Sequence, residues 1–280
     1  MYPKRFKPLR MLLAATLVVS TMWGAGEVHD GKVSAYLRGA LQDLSAVTAA
    51  LKSGGFEPLG NDVIDAKGEL TSVAFTCPTL KKLANRPSRG FAASLRVLID
   101  KKNHQITITN PLYFEKAFLQ KEFDEASALK VLKKINAAFS GLKDSKDALA
   151  YKDLGHYHFM FAMPYYEDME RVAKGAHDAL LAKLKAYDGG KHVVFTLPLS
   201  KGRTLVGFKL DPKTAGFVQK IGVQNAALLP YPILIENGEA RILAPKFYIA
   251  LSYPLLKMSQ FMKIASTPGA IADACKAAFK

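Results

Sequence analysis

Cysteine is almost missing from this chain: its 280 residues hold two, Cys77 and Cys275, and a single tryptophan, Trp23. Two cysteines allow one intramolecular disulfide at most. They do not fall at matching positions of the internal repeat described below, and two separate, partly buried thiols are the expected state. No Ser-His-Asp arrangement and no zinc-ligand spacing stands out. Gly54-Gly55 and Gly189-Gly190 read as helix stops, and neither fits a phosphate-binding loop. Lysines are plentiful but scattered, as in Lys81-Lys82, Lys101-Lys102 and Lys133-Lys134. No run is dense enough for a nucleic-acid arm, so nucleic acid is not expected as a partner. Beyond the N-terminus no segment is long and apolar enough to span a membrane.

What is present begins with a leader. Lys4, Arg5, Lys7 and Arg10 precede an uncharged, mostly apolar run from Met11 to Trp23, and Gly24-Ala25-Gly26 supplies small residues for signal peptidase. This is a secretory pattern, and the run is short of the ~20 apolar residues of an ordinary spanning helix. The expectation is a signal peptide over residues 1–26 and export to a bacterial periplasm, with an uncleaved N-terminal anchor as the alternative. Removing residues 1–26 takes four of the 39 basic residues and none of the 24 acidic ones, leaving 35 against 24, a net charge of +11. Such a surface carries a weak attraction for anionic membranes. An apolar fraction of 49% is enough to bury a substantial core.

The hairpin pattern at residues 233–248 occurs twice. Ile233–Glu236, the Asn237-Gly238 turn and Glu239–Leu243 lead into Pro245. Leu98–Asp100 and Ile106–Thr109 lead likewise into Pro111. Cys77-Pro78 matches Asp211-Pro212, and Pro111–Phe114 matches Pro245–Tyr248, both at a spacing of 134. The fold class expected is α+β: two repeated units related by a pseudo-two-fold, each a mostly antiparallel sheet with helices packed on it. The first unit covers 27–142, a lysine- and aspartate-rich linker 143–155, and the second unit 156–280. Local patterns predict an amphipathic helix over Leu41–Lys52 and an edge strand around Pro58. They further predict strands over Leu70–Thr76 and Phe91–Asp100, and a helix capped by Asp124 and running to Phe139. In the second half a strand is predicted over Tyr157–Met163 and a long helix over Tyr166–Tyr187.

The second hairpin also carries a family resemblance. Asp211-Pro212, then Leu228-Leu229-Pro230, a strand ending in Glu236, the Asn237-Gly238 turn and a final strand ending at Pro245 together resemble the domain of unknown function 302 family. The resemblance covers about Ala40–Phe118 and Tyr166–Tyr253 and is clearer in the second copy. It implies a compact α+β unit. Because single-domain members are thought to pair, it also implies that this tandem chain resembles a fused dimer acting as a monomer. The family cysteine after Leu-Leu-Pro is replaced by Tyr231, so no thiol role carries over to that position.

Candidate chemistry is sparse. His156, His158 and Met160 at alternate positions would share one face of a strand, a set of imidazole and thioether ligands suited to copper. The bland alternative is an amphipathic strand with Met160 in the core. Asp211 reads first as a helix N-cap and second as a general base. Cys77, at the matching helix start, reads as a buried residue or as a thiol activated by the helix N-terminus. Tyr231 lines either a cleft or the core. These signals favour a non-catalytic protein of the cell envelope that binds a small molecule or an envelope protein in a cleft between the halves, with no cofactor. An enzyme using Cys77, Asp211 or the histidines, and copper handling through His156, His158 and Met160, are the alternatives. Metal analysis of the purified protein separates the last: under the copper reading the metal is present and is lost in the double variant His156→Ala/His158→Ala, whereas under the scaffold reading both preparations are copper-free.

Overall fold

The computed structural model describes residues 24–280. The chain enters through Gly24–Gly26, which are built into the first half: the Gly26 amide donates to Asp144 Oδ1 at 2.6 Å, and Asn110 Nδ2 donates back to the Gly26 carbonyl at 2.8 Å. The leader expected over 1–26 otherwise lies outside the described residues.

The first half runs β1 (Lys32–Ser34), β2 (Tyr36–Ala40), α1 (Leu44–Ser53), β3 (Glu57–Val63), β4 (Leu70–Thr76), α2 (Pro78–Ala84), β5 (Leu95–Asp100), β6 (Gln105–Thr109), α3 (Pro111–Leu119) and α4 (Glu125–Ala138). Two short strands follow, β7 (Lys143–Asp144) and β8 (Ala148–Ala150). The second half runs β9 (Glu170–Lys174), α5 (His177–Ala186), β10 (Val193–Ser200), β11 (Arg203–Phe208), α6 (Pro212–Ala215), α7 (Phe217–Ile221), β12 (Tyr231–Glu236), β13 (Glu239–Ile242), α8 (Pro245–Ser252), α9 (Met258–Met262) and α10 (Thr267–Ala277). Every pairing within the two large sheets is antiparallel. Their orders are β3-β4-β5-β6-β2-β7 and β10-β11-β12-β13-β9. Apart from β7, corresponding elements occupy corresponding places, which is compatible with the two-copy reading. The class is α+β, with helices packed on the sheets.

Local chemistry explains the elements that the sequence placed well. Asp43 and Asp124 cap α1 and α4 by accepting backbone hydrogen bonds from Ala46 and Ser127. Pro78, Pro111, Pro212 and Pro245 each open a helix, where a missing N–H costs nothing. β3 is an edge strand with an irregularity between Pro58 and Gly60. Asn237 and Gly238 both take positive φ (52° and 76°), the turn that matches strand twist in a two-residue hairpin. Ile233, Ile235 and Ile242 of that hairpin are fully buried.

Four expectations are corrected. Residues 143–155 are not a free linker: β7 pairs with β2, β8 pairs with β1, and residues 151–156 form a 3-10 helix, so their backbone groups are satisfied by the first half. The strand expected over Tyr157–Met163 is irregular chain with a turn at Met160–Met163. The place beside β13 that it was expected to fill is taken by β9. The long helix expected from Tyr166 is divided at Gly175 (φ 159°), whose amide bonds to the Gly238 carbonyl. Residues before it become edge strand β9, and the helix starts only at His177. The strand expected from Phe91 starts at Leu95, because residues 90–93 form a 3-10 helix.

That last segment positions the two halves. Residues 90–93 pack on β11 and β12 of the second sheet, and the 3-10 helix at 223–228 packs on β4, β5 and β6 of the first. The exchange is reciprocal. Close approach is needed at both Gly90 and Gly60: a Cβ on Gly90 would stand 2.3 Å from Leu234, and one on Gly60 would stand 2.4 Å from the Val194 carbonyl. Aromatic rings fill the contact, with Phe118 against Tyr248 and Tyr166 (centroids 6.0 and 5.9 Å apart) and Phe91 against Tyr166 (6.4 Å).

Among the buried polar residues, one carboxyl group stands without a partner on either oxygen. Glu115 on α3 is fully buried and neither carboxylate oxygen has a hydrogen-bond partner. Its counterpart on α8, at the spacing of 134, is the buried Ile249. Burial pushes the Glu115 carboxyl well above the ordinary carboxylate range, so the folded chain holds a proton there that the unfolded chain releases. Stability from this group is complete below the unfolded value of 4.5 and is lost as pH rises toward the folded value. The variant Glu115→Ile is therefore expected to lose that downward slope of melting temperature with pH. It should melt at least about 2–4 °C above the parent at pH 8, the shift that ~1 kcal/mol gives a chain of this size. Unchanged slopes in a calorimetric pH series would refute the assignment.

Candidate functional site

The strongest candidate is a polar cleft where the two halves meet. Tyr36 and Arg38 stand two residues apart on β2 and so share a face, here the one turned to the second half. Arg38 makes four hydrogen bonds, two of them to the second half. Its Nη1 donates to Thr107 Oγ1 (2.8 Å) and the Gln224 carbonyl (3.1 Å), and its Nη2 donates to Asp147 Oδ2 (3.0 Å) and Asn225 Oδ1 (2.8 Å). Asn225 Nδ2 donates to Asp147 Oδ1 (3.0 Å) and the Ser252 carbonyl (3.2 Å), and the Tyr36 hydroxyl donates to the same carbonyl at 2.8 Å. Asp147 is held in turn by the β7–β8 turn, where the Ala35 amide donates to its carbonyl and the Ser34 hydroxyl donates to the carbonyl of Ser145.

Two adjoining recesses open over this network, of about 540 and 130 Å³, and they share Asp147, Gln224 and Leu255. The first half contributes Asn103, Gln105, Lys146 and Asp147; the second contributes Gln224, Tyr253, Leu255 and Gln260. Arg38 and Asp147 neutralise one another in the floor, and the walls carry the amides of Asn103, Gln105 and Gln224, the Lys146 ammonium and the Asp144 carboxylate. Desolvation by burial raises the pKa of Tyr36 and of Tyr253 well above the ordinary phenol value, so both hydroxyls stay protonated donors. The arrangement is suited to hydrogen-bonding a polar molecule. Its one carboxylate–guanidinium pair lies within the first half, and the two partners hold the second half through their bonds to Gln224 and Asn225.

The residues singled out from sequence fall elsewhere. Cys77 is buried and makes no side-chain cap bond, and Cys275 is buried on α10; both are free thiols, as expected. Asp211 caps α6, accepting from the Thr214 amide (2.9 Å) and hydroxyl (2.6 Å). Burial acts to raise its pKa, but these bonds outweigh it and the net effect is a lowered value, which suits a fixed cap. Tyr231 is core: its hydroxyl donates to the Leu243 carbonyl at 2.9 Å, and its ring meets Tyr248 edge-on at 5.6 Å. His156 and His158 do line one recess, of about 360 Å³, with Lys152, Asp153 and Tyr157. The alternation argument that gave them a common face with Met160 does not apply to an irregular segment, and the His158 ring lies against Tyr165 at 4.5 Å. Among the described residues no group of three or more His, Cys, Asp or Glu side chains is placed to hold a metal ion.

Sequence reasoning passed over Arg38, Asp147, Gln224 and Asn225. The one legible signal was Arg38, a lone charge in the otherwise uncharged stretch from Val33 to Ala40. Asp147 lay in the supposed linker. Comparison of the chain with models of known protein families, with curated proteins and with solved structures returned no match.

Because Arg38 and Asp147 are mostly shielded from water, with side chains 18% and 13% exposed, removing one strands the other. Arg38→Ala is expected to cost about 3 kcal/mol in urea unfolding. A matched disruption of the exposed Lys81–Glu57 pair should cost under ~1 kcal/mol. Equal costs would show that the shielded network around Arg38 holds no more tightly than an exposed pair.

Proposed function

We propose that this chain is an exported, non-catalytic binding protein of the cell envelope, and that its ligand is a small polar molecule seated in the cleft above Arg38 and Asp147. The observation that carries the reading is that the two halves both supply polar walls to one cleft, over a floor whose charges are already paired. Domain junctions are frequent places for such sites. The N-terminal pattern at residues 1–26 supports export, and the matched strand orders are compatible with descent from a duplicated unit, for which the residues of the second hairpin suggest the domain of unknown function 302 type. The buried Cys77, the capping role of Asp211 and the core position of Tyr231 favour binding over catalysis at those residues.

The test fills the cleft without touching its floor. Gln105 is half-buried on its wall, so Gln105→Trp should leave the melting temperature within about 1–2 °C of the parent while closing the space. Native mass spectrometry of the parent is expected to show a retained small molecule, or a thermal shift with a panel of amino acids, dicarboxylates and sugar phosphates; the variant shows neither. A parent that carries nothing and responds to no member of the panel sinks the reading.

A further inference from the structure

Beside the cleft, whose rim Leu255 also lines, two short segments of the second half present apolar side chains to solvent. One is the irregular stretch 156–166, where Phe161 is 94% exposed on a turn whose next residue, Ala162, has φ 62°. Met160 and Tyr165 beside it are exposed as well. The other is α9 with its approach, where Leu255, Met258 and Met262 are exposed, Met262 to 62%. The two are neighbours: the rings of Phe159 and Phe261 stack with centroids 6.0 Å apart and planes 24° from parallel. The buried Phe261 and half-buried Phe159 thus tie the two segments together, and the exposed residues on each side of the stack stand close to one another. An isolated exposed leucine calls for no account, but a cluster built round a fully projecting phenylalanine does.

Within the two segments the charges are of one kind. Residues 156–166 and 254–266 contain no acid, and Lys257 and Lys263 bracket α9. Glu167 and Asp168 follow the first segment, and Asp168 is turned back to accept the Tyr165 amide at 2.9 Å. A second copy of this chain would bring the same lysines face to face and add its own net charge, +11 over residues 27–280, to the first. An anionic lipid surface answers both features: aromatic and methionine side chains enter the headgroup–acyl boundary, while the lysines reach the phosphates. We propose that the surface formed by Phe161, Met160, Leu255, Met258 and Met262 docks on anionic bilayers, orienting the chain with this edge of the second half against the membrane.

The test reads position 161 itself, because the apolar stretch at residues 11–23 could bring the full chain to vesicles by another route. Cys77 and Cys275 are buried, so Phe161→Cys supplies one accessible thiol for an environment-sensitive nitrobenzoxadiazole label. Ser45→Cys on α1 of the first half, also exposed, serves as the control. With vesicles of phosphatidylcholine and phosphatidylglycerol, the label at 161 should brighten by about twofold or more and shift to the blue. Phosphatidylcholine alone, or added salt, should weaken that response. The label at 45 should stay unchanged. Co-sedimentation without a change at 161, or equal changes at both positions, overturns the proposal. A response that grows with protein concentration in the absence of vesicles assigns the surface to a second copy and overturns it too.

Discussion

The mutual insertion of two short segments holds this molecule together. Each large antiparallel sheet has one face covered by its own helices, and the remaining face must be taken from water by something else. Here the cover comes from the opposite half: residues 90–93 lie on the second sheet and residues 223–228 on the first. Neither half completes its core alone. Small or apolar residues are demanded at both places, since Gly90, Phe91, Ala92 and Ala93 on one side and Ala226, Ala227 and Leu228 on the other are all buried.

Polar groups then fix how the halves meet. Backbone carbonyls left free by the irregular segments are capped by side chains from across the junction. Ser72 donates to Leu229, Tyr113 to Leu251 and Tyr166 to Ser88. Buried or half-buried ion pairs do the same work at the rim, with Glu236 accepting from both Arg203 and the Ser88 amide, and Lys209 standing 2.8 Å from Asp62 Oδ1 while donating to the Val63 carbonyl. Such bonds add less to net stability than apolar burial does, but leaving one unmade inside the interface is costly. They therefore select one register of the two halves over sliding alternatives. The Arg38–Asp147–Asn225 network is the part of this lattice that borders open space, and the cleft owes its rigid floor to that position.

Much of the fold is legible in residues that act locally. Prolines at helix starts, the Asp43 and Asp124 caps and the Asn237-Gly238 turn each work through their own backbone or that of residues three or four away. The failures share a cause. Residues 157–163 alternate as a strand would, but alternation specifies a strand only where the chain is paired, and the place beside β13 is taken by β9. Residues 166–187 carry helical spacing, but the amide of Gly175 is claimed by Gly238, sixty-odd positions on. The supposed linker lacked apolar periodicity because β7 and β8 are too short to show any. The candidate site was the least legible part: the cysteines, Asp211 and Tyr231 drew attention by residue type and proved to be scaffold, whereas Arg38, Asp147 and Asn225 matter by meeting.

By itself the sequence determined the composition of the parts: an α+β chain, a hairpin occurring twice, helix starts and stops, and a basic surface. Those properties rest on interactions between near neighbours and on side-chain periodicity, which a linear reading contains. Only the tertiary structure decided that each half covers the other, that the stretch after α4 of the first half completes its sheet, and that a glutamate stands buried at Glu115 where the second half has Ile249. Each of these depends on contacts between residues far apart in the chain, and the energy of a buried group is set by what surrounds it in space.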